Sequence, residues 1–337
     1  MNDRFHRVLF TEPGKAVFSP ADSSALPNGP DQVLIETEYS VVSAGTELAI
    51  LTGKESWAPL PFTPGYGSVG RVVRTGANVT DVKVGERIFT YGAHSQYAVT
   101  DIMRIPVDIT VDPVKATFAR IAAVSITALR VADVALGDYV AVFGLGLVGN
   151  LAAQLFTLAG CEVIGIDLSA KRREQALQCG IAHVLAPGAE LESQVAAITG
   201  GRGCRSVVEA TGVPAVAATA GALAGKQGEV ILLGSPRQEF VTDLTAFLNR
   251  THLWGSGCVT VKGAHEWRYP VAEDRNGYGR FSMEGNVRAI LRLIGQKKLQ
   301  LDPLITHVVS PKACQDVYDG LKNQKDVYTG VVFDWSK

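Results

Sequence analysis

The chain has 337 residues, 47% of them hydrophobic and 19% charged, with a formal net charge of −1. That is the composition of a globular protein with apolar material for two cores. The near-neutral balance speaks against nucleic acid or an anionic membrane as partner, and no apolar run reaches the roughly 20 residues that span a bilayer.

The opening stretch, MNDRFHRVLF, is charged and then alternates like a strand, so it reads as part of the fold rather than as a targeting segment. Residues 1–118 continue in this vein. RVLF, QVLIETEYSVV, SVGRVVRTG, ERIFTYG and HSQYAVT are β-branched runs closed by Gly, Pro, Asn or Asp, which predicts a small antiparallel barrel or sandwich. From Ala119 the pattern changes to apolar residues at helical spacing, and then strands alternate with helices. DYVAVFG, EVIGID, HVL, CRSVVEATG and EVILLGS are the strands; LVGNLAAQLFTLAG, SAKRREQALQCG, ELESQVAAITGG and PAVAATAGALAG are the helices. Such alternation implies parallel strands joined by helical crossovers. The tail holds one good helix, GNVRAILRLIGQKKL, and ends in the strand-like ITHVVS and GVVFDW. The expected organisation is a β-rich domain over 1–118, a doubly wound α/β domain over 119–258, and a return to the first domain over 259–337.

The five cysteines, Cys161, Cys179, Cys204, Cys258 and Cys314, are widely spaced and form no C-x-x-C pair. They read as buried thiols of a cytoplasmic protein rather than as metal ligands or disulfides.

The second domain carries Gly144-x-Gly146-x-x-Gly149, placed after an apolar strand and opening a helix. In that context the first glycine makes the tight turn, the second lets backbone approach a pyrophosphate, and the third lets helix pack on sheet. The amides at the helix start, including Leu147 and Val148, then face the anion. The next strand ends at Asp167, about 20 residues on, where a carboxylate accepts from a ribose 2′-hydroxyl and repels a 2′-phosphate. NAD is therefore expected in preference to NADP, with Lys171 and Arg172 softening the preference. Thr211, Gly212, Gly234 and Ser235 end later strands of the same sheet and are further candidate cofactor contacts.

Taken together, SAGTE, PGYGSVGRVVRTGANVTDVKVGERI, VFGLGLVG with GIDLSAKRREQALQCG, VVEATG and PLITHVVS resemble the medium-chain dehydrogenase/reductase superfamily, of the zinc alcohol and polyol dehydrogenase type. The resemblance runs over essentially the whole chain. It implies a GroES-like catalytic domain, a Rossmann nucleotide-binding domain, and a homodimer or homotetramer formed through an edge strand of the nucleotide domain, for which EVILLGS to LWGSGCV supplies strands. It also shows a departure. The place of the first zinc ligand holds Ala44, the place of the ligand histidine holds Tyr66 within Gly65-Tyr66-Gly67, and the place of the third falls on Arg120. The structural four-cysteine lobe is missing from YGAHSQYAVTDIMRIP. Alanine has no donor atom and arginine does not deprotonate, so the expectation is no zinc at either site.

What replaces the metal must then be hydrogen-bond donors and a fixed cation. Arg120, Tyr66, the relay hydroxyl Thr46 and His94 are the candidate catalytic groups; Trp57, Tyr91 and Trp267 are candidate substrate contacts. The competing reading has Tyr66 filling the vacated space and Arg120 pairing with a carboxylate such as Glu47. The leading function is a zinc-independent, NAD-dependent oxidoreductase acting on a secondary alcohol of a sugar, polyol or cyclitol. The alternatives are oxidation of a hydroxyethyl side chain of a bacteriochlorophyllide-like substrate, whose enzyme the N-terminal third also resembles; reduction of a quinone or C=C bond; and NAD(H) binding without turnover.

Overall fold

The computed structural model describes residues 4–23, 26, 29–274 and 276–337. The chain divides into two compact units, one of Met1–Arg120, Tyr269–Lys297 and Leu304–Lys337, the other of Ile121–Arg268 and Lys298–Pro303.

The first unit opens with a hairpin of β1 (Arg4–Glu12) and β2 (Lys15–Asp22). There follow β3 (Val33–Val41), α1 (Ala44–Leu51), β4 (Ser68–Thr75), β5 (Arg87–Thr90), β6 (Tyr97–Thr100), β7 (Ile105–Pro106) and α2 (Pro113–Thr117). α2 starts where Asp112 accepts the Val114 N–H at 2.8 Å and Pro113 takes the first helical position. α3 (Ala119–Val131) carries the chain onward.

The second unit is a parallel sheet. Its strands and helices are β8 (Tyr139–Phe143), α4 (Leu147–Leu158), β9 (Glu162–Ile166), α5 (Ala170–Gln178), β10 (His183–Leu185), α6 (Leu191–Thr199), β11 (Cys204–Glu209), α7 (Pro214–Ala220), β12 (Ala224–Leu232), α8 (Thr245–His252) and β13 (Thr260–Gly263). The strand order is β10-β9-β8-β11-β12-β13, so the order reverses between β8 and β11, the place where open α/β sheets take ligands. Alternation along β8 feeds two cores: Val140 and Val142 pack with Phe156 and Ile231, while Ala141 and Phe143 pack with Val207 and Val230. Ser169 caps α5 by accepting the Arg172 N–H. Cys161, Cys179 and Cys204 are buried here, and desolvation pushes their thiols up to about 11, about 11 and about 12.

The chain then completes the first unit with α9 (Met283–Gly295), β14 (Ile305–Val309), α10 (Cys314–Asn323) and β15 (Gly330–Asp334). Its main sheet runs β14-β15-β3-β4-β5-β7, with β6 also paired to β3. Phe10, Ile50, Tyr318 and Phe333 anchor one core of this unit, and Val33, Ile35, Val72 and Ile88 another.

Two expectations are corrected. The α/β domain does not end at residue 258: β13 lies beyond that point and pairs with β12, and Lys298–Pro303 also belongs to this unit. EVILLGS is not an edge, because β12 is flanked on both sides; β13 is the outer strand, and Trp254–Ser256 forms a 3₁₀ turn instead of a strand.

A buried carboxylate ties these outer strands together. Glu229 of β12 pairs with Lys262 of β13 and accepts from the Ser206 hydroxyl of β11 and from the Asp133 N–H at 2.9 Å. Glu229→Ala leaves those donors facing an apolar gap. Urea unfolding should show a loss of about 3 kcal/mol, at the lower end for a broken buried pair because Lys262 keeps contact with water. An unchanged midpoint would mean that the pair does not hold the strands.

Candidate active site

The phosphate cradle is built from backbone. The chain leaves β8 at Gly144 with φ +87°, and the Gly144 N–H donates to Ile166 O at 2.8 Å. A Cβ on Gly149 would lie 1.7 Å from Gly144 O, so only glycine lets α4 pack against the turn. Gly146 is the N-cap of α4 and no side chain caps the helix, so the amides at its start, those of Leu147 and Val148 among them, are left to a ligand. Around Gly146 the one atom near a Cβ position is Arg172 Nη1, at 3.9 Å. A positive helix end with open backbone fits a dinucleotide pyrophosphate.

Asp167 follows β9 and is only 8% exposed. Its Oδ2 accepts from the Leu145 N–H at 2.7 Å and its Oδ1 from the Ser169 N–H at 2.8 Å. Each carboxylate oxygen has two acceptor positions, so one remains on each for a ribose hydroxyl. The Arg172 Nη1 stands 3.8 Å from Asp167 Oδ2, and its buried Nε has no hydrogen-bond partner. At the end of β11, Glu209 Oε1 accepts from the Thr211 N–H at 2.7 Å and the Gly212 N–H at 3.1 Å, and also from the Thr211 hydroxyl. A Cβ on Gly234 would meet Gly212 N at 2.2 Å, one on Gly212 would meet Ser235 O at 2.5 Å, and one on Gly144 would meet Thr211 Cγ2 at 2.8 Å. Gly144, Thr211, Gly212, Gly234 and Ser235 thus form one surface at the carboxyl ends of β8, β11 and β12. Glu209, which shapes that surface, was not singled out by the sequence; its cue is an acid closing a strand just ahead of Thr-Gly.

The first unit gathers a second cluster. The Arg120 guanidinium is buried between two tyrosine rings, 4.6 Å from the centroid of Tyr66 and 4.4 Å from that of Tyr91, and its Nη1 donates to the Tyr91 hydroxyl at 3.3 Å. The Tyr66 hydroxyl donates to Ser43 Oγ at 2.6 Å. Burial raises the Tyr66 phenol above its ordinary range; the Arg120 charge opposes this, Glu47 adds to it, and hydrogen bonding with Ser43 and Thr46 favours the phenolate. The net direction is upward, so Tyr66 carries its proton at neutral pH. Tyr66 is framed by two glycines whose missing side chains make room. A Cβ on Gly67 would lie 2.6 Å from Arg120 Cβ, and one on Gly65 would lie 2.5 Å from His94 N.

By the resemblance, the places of the zinc ligands hold a methyl, a phenol and a guanidinium, a set that does not fit a zinc ion because two of the three have no lone pair to give. Among the described residues no group of three or more His, Cys, Asp or Glu comes together as a metal site.

Thr46, Tyr66, Tyr91 and Arg120 are thus brought together, but His94 is not one of them. His94 is completely enclosed; its Nε2 faces Glu47 Oε2 at 3.1 Å and its Nδ1 faces Ser40 Oγ at 2.8 Å. It does not line a loop open to substrate, and both ring nitrogens are committed. Trp57 and Trp267 are exposed, but they belong to different units; Trp57 packs edge-on to Phe62 and donates its indole N–H to Glu55 at 2.9 Å. Ser43 and Tyr318 were not singled out from the sequence; Glu47, named there as a carboxylate for Arg120, accepts from the Ser43 N–H and the Tyr318 hydroxyl. Ser43 ahead of an apolar run is a helix-start signal, with Glu47 one residue beyond capping-box spacing. Tyr318 carries none.

Gly67→Ala should displace the Arg120 stem and leave the cradle untouched. Steady-state kinetics should show kcat/KM down about 10²-fold, the scale of a misplaced catalytic group, with a thermal midpoint showing that the protein still folds. Unchanged kcat/KM would remove Arg120 from the site.

Residues 29–101 match the family model described as the alcohol dehydrogenase GroES-like domain, and residues 148–273 match the one described as zinc-binding dehydrogenase. The L-galactonate-5-dehydrogenase of Escherichia coli (strain K12) is 25% identical over 90% of this chain and 92% of that protein. The D-guloside 3-dehydrogenase of the same strain is 31% identical over 45% of each, so that match spans less than half of the relative. Among solved structures, the 2R,3R-butanediol dehydrogenase from Bacillus subtilis superposes with a TM-score of 0.81 at 19% identity, over 98% of this chain and 99% of that one. With two domain models matched, a relative aligned over most of the chain and the cradle formed as the motif requires, the chain belongs to the medium-chain dehydrogenase/reductase family, zinc-type alcohol dehydrogenase-like, and is an NAD(P)-dependent dehydrogenase.

Proposed function

We propose that the chain interconverts a secondary alcohol of a sugar, polyol or cyclitol with the corresponding ketone, using NAD and no zinc. The observation that carries this is the Arg120 guanidinium held between Tyr66 and Tyr91 where metal ligands would otherwise stand. The two relatives above are dehydrogenases of L-galactonate and of a D-guloside, which supports a hydroxyl-rich substrate. A nicotinamide dinucleotide held by the Gly144–Gly149 cradle and Asp167 would supply the hydride in reduction and accept it in oxidation.

The chain's own residues do the rest. Arg120 is a fixed cation beside the oxygen that gains negative charge, and a buried charge acts there with little screening. Its stacking on two rings holds it in place, so no reorganisation is needed as charge develops. Tyr66, protonated at neutral pH, donates to the ketone oxygen in reduction and takes the proton back in oxidation. Thr46, in the first turn of α1, hydrogen-bonds with the same phenol and orients it. The exposed aromatic face of Trp57 offers apolar surface to the C–H face of a sugar. Asp167 reads the ribose diol and favours NAD, while Arg172 beside it offsets part of its charge.

Protein purified without added metal should hold less than about a tenth of an equivalent of zinc, a level that separates adventitious from stoichiometric metal. It should turn over members of a sugar and polyol panel undiminished by chelator. Arg120→Ala should lower kcat/KM by about 10²–10³-fold and Tyr66→Phe by about 10²-fold or more. Stoichiometric zinc, with activity lost on chelation, would overturn the reading. For the cofactor, fluorescence titration should show NADH binding more tightly than NADPH. Arg172→Ala should widen the gap about tenfold, equivalent to about 1.4 kcal/mol; an unaltered ratio would mean that Arg172 does not face the ribose.

A further inference from the structure

The start of α1 is arranged to free a hydroxyl. Ser43 is the N-cap, yet its side chain makes no capping bond. The Ser43 N–H is taken instead by Glu47, whose Oε1 accepts it at 2.7 Å. Ser43 Oγ, which makes no bond to the helix amides, turns to Tyr66 and accepts its phenol proton at 2.6 Å. An N-cap serine ordinarily spends its oxygen on the helix amides; here it spends it on the acid–base group.

Glu47 is itself immobilised. It has no exposed surface, and its Oε2 accepts from the Tyr318 hydroxyl at 2.6 Å and faces His94 Nε2 at 3.1 Å. Behind His94 stands Ser40 Oγ at 2.8 Å, which accepts from the Trp335 indole N–H at 2.9 Å. The pattern is satisfied throughout when Ser40 donates to His94 Nδ1 and His94 donates through Nε2 to Glu47. Every member of this array is buried except Trp335 and Ser43 at its two ends, which are partly exposed. Ser43, beside Tyr66, is thus the partly exposed residue at one end of the array.

We propose that Ser43 relays the proton of Tyr66 to and from solvent, and that the enclosed Glu47–His94–Tyr318 array exists to hold it in that position. This rests on the reading of Tyr66 as the acid–base group. In reduction, the phenol proton passes to the ketone oxygen, the Ser43 hydroxyl proton passes to Tyr66, and water returns a proton to Ser43. In oxidation the same moves run backwards and one proton leaves per alcohol oxidised. Ser43 touches Tyr66 rather than substrate, so it is a positioning residue. The groups bearing on Tyr66 are Arg120 over its ring, Glu47, Tyr318, Ser43 and Thr46.

The test compares Ser43→Ala, Ser43→Gly, Ser43→Thr and Tyr66→Phe in the full chain. It reads kcat, the solvent deuterium isotope effect and NADH affinity. Glycine is accepted at N-caps and keeps the N–H for Glu47, so it covers the case in which alanine disturbs folding. Loss of the hydroxyl should lower kcat by about 10–10²-fold, within the range of general acid–base effects, and enlarge the isotope effect. NADH affinity should stay within about twofold, and threonine should recover most of the rate. Hydroxyl-free variants with the parent's kcat and isotope effect, beside an impaired Tyr66→Phe, would overturn the relay and leave the acid–base reading standing. Equal losses in alanine, glycine and threonine would make Ser43 merely structural and also overturn it. A fully active Tyr66→Phe would take down the acid–base reading itself.

Discussion

The catalytic unit is organised around one carboxylate with no access to water. An ion the size of Glu47 costs several kcal/mol to bury, and nothing but close donors offsets this. The donors come from distant parts of the chain: the backbone at the head of α1, the phenol of Tyr318 on α10, and His94 ahead of β6. Burial and the Glu47 charge together drive the Tyr318 phenol well above its usual range, so it stays a donor. Placing Glu47 correctly therefore requires α1, α10 and the loop before β6 to have found one another. The array is a test of the fold's completion as much as a part of its site.

The two functional regions are made in different ways. The cofactor cradle relies on what side chains leave out: glycine at 144 and 149, and helix amides left uncapped. The catalytic cluster relies on side chains filling space: a guanidinium sandwiched by two rings, and a carboxylate saturated with donors. Backbone cradles bind any pyrophosphate in much the same manner. Side-chain clusters set which oxygen is stabilised and where a proton goes.

That contrast explains what was legible in the sequence. The cradle is contiguous chain, so strand, glycines, helix and Asp167 could be placed from spacing alone, as could the α/β alternation. The gathering of Thr211, Gly212, Gly234 and Ser235 followed from the rule that ligands sit at strand carboxyl ends. The catalytic cluster depends on tertiary contact. Spacing alone does not tell that Arg120 lies against Tyr66 and Tyr91, or that Tyr318 reaches Glu47 from 271 positions away. Nor does spacing tell that His94, a candidate catalytic group by its chemistry, is enclosed against the buried Glu47 carboxylate. The sixth strand of the parallel sheet, four residues long, is too short to show a period.

The contact between residues 67 and 120 also constrains descent. Gly67 follows Tyr66, which by the resemblance drawn above stands at the place of the ligand histidine. Any side chain at 67 would occupy the volume of the Arg120 stem. The two positions are therefore not free to vary one at a time. A lineage moving between metal and guanidinium passes through an intermediate in which the site is either overfilled or empty. Glycine at 67 with arginine at 120 should accordingly be inherited as a pair, and either one alone should mark a sequence whose oxygen-binding site has been rebuilt on some other plan.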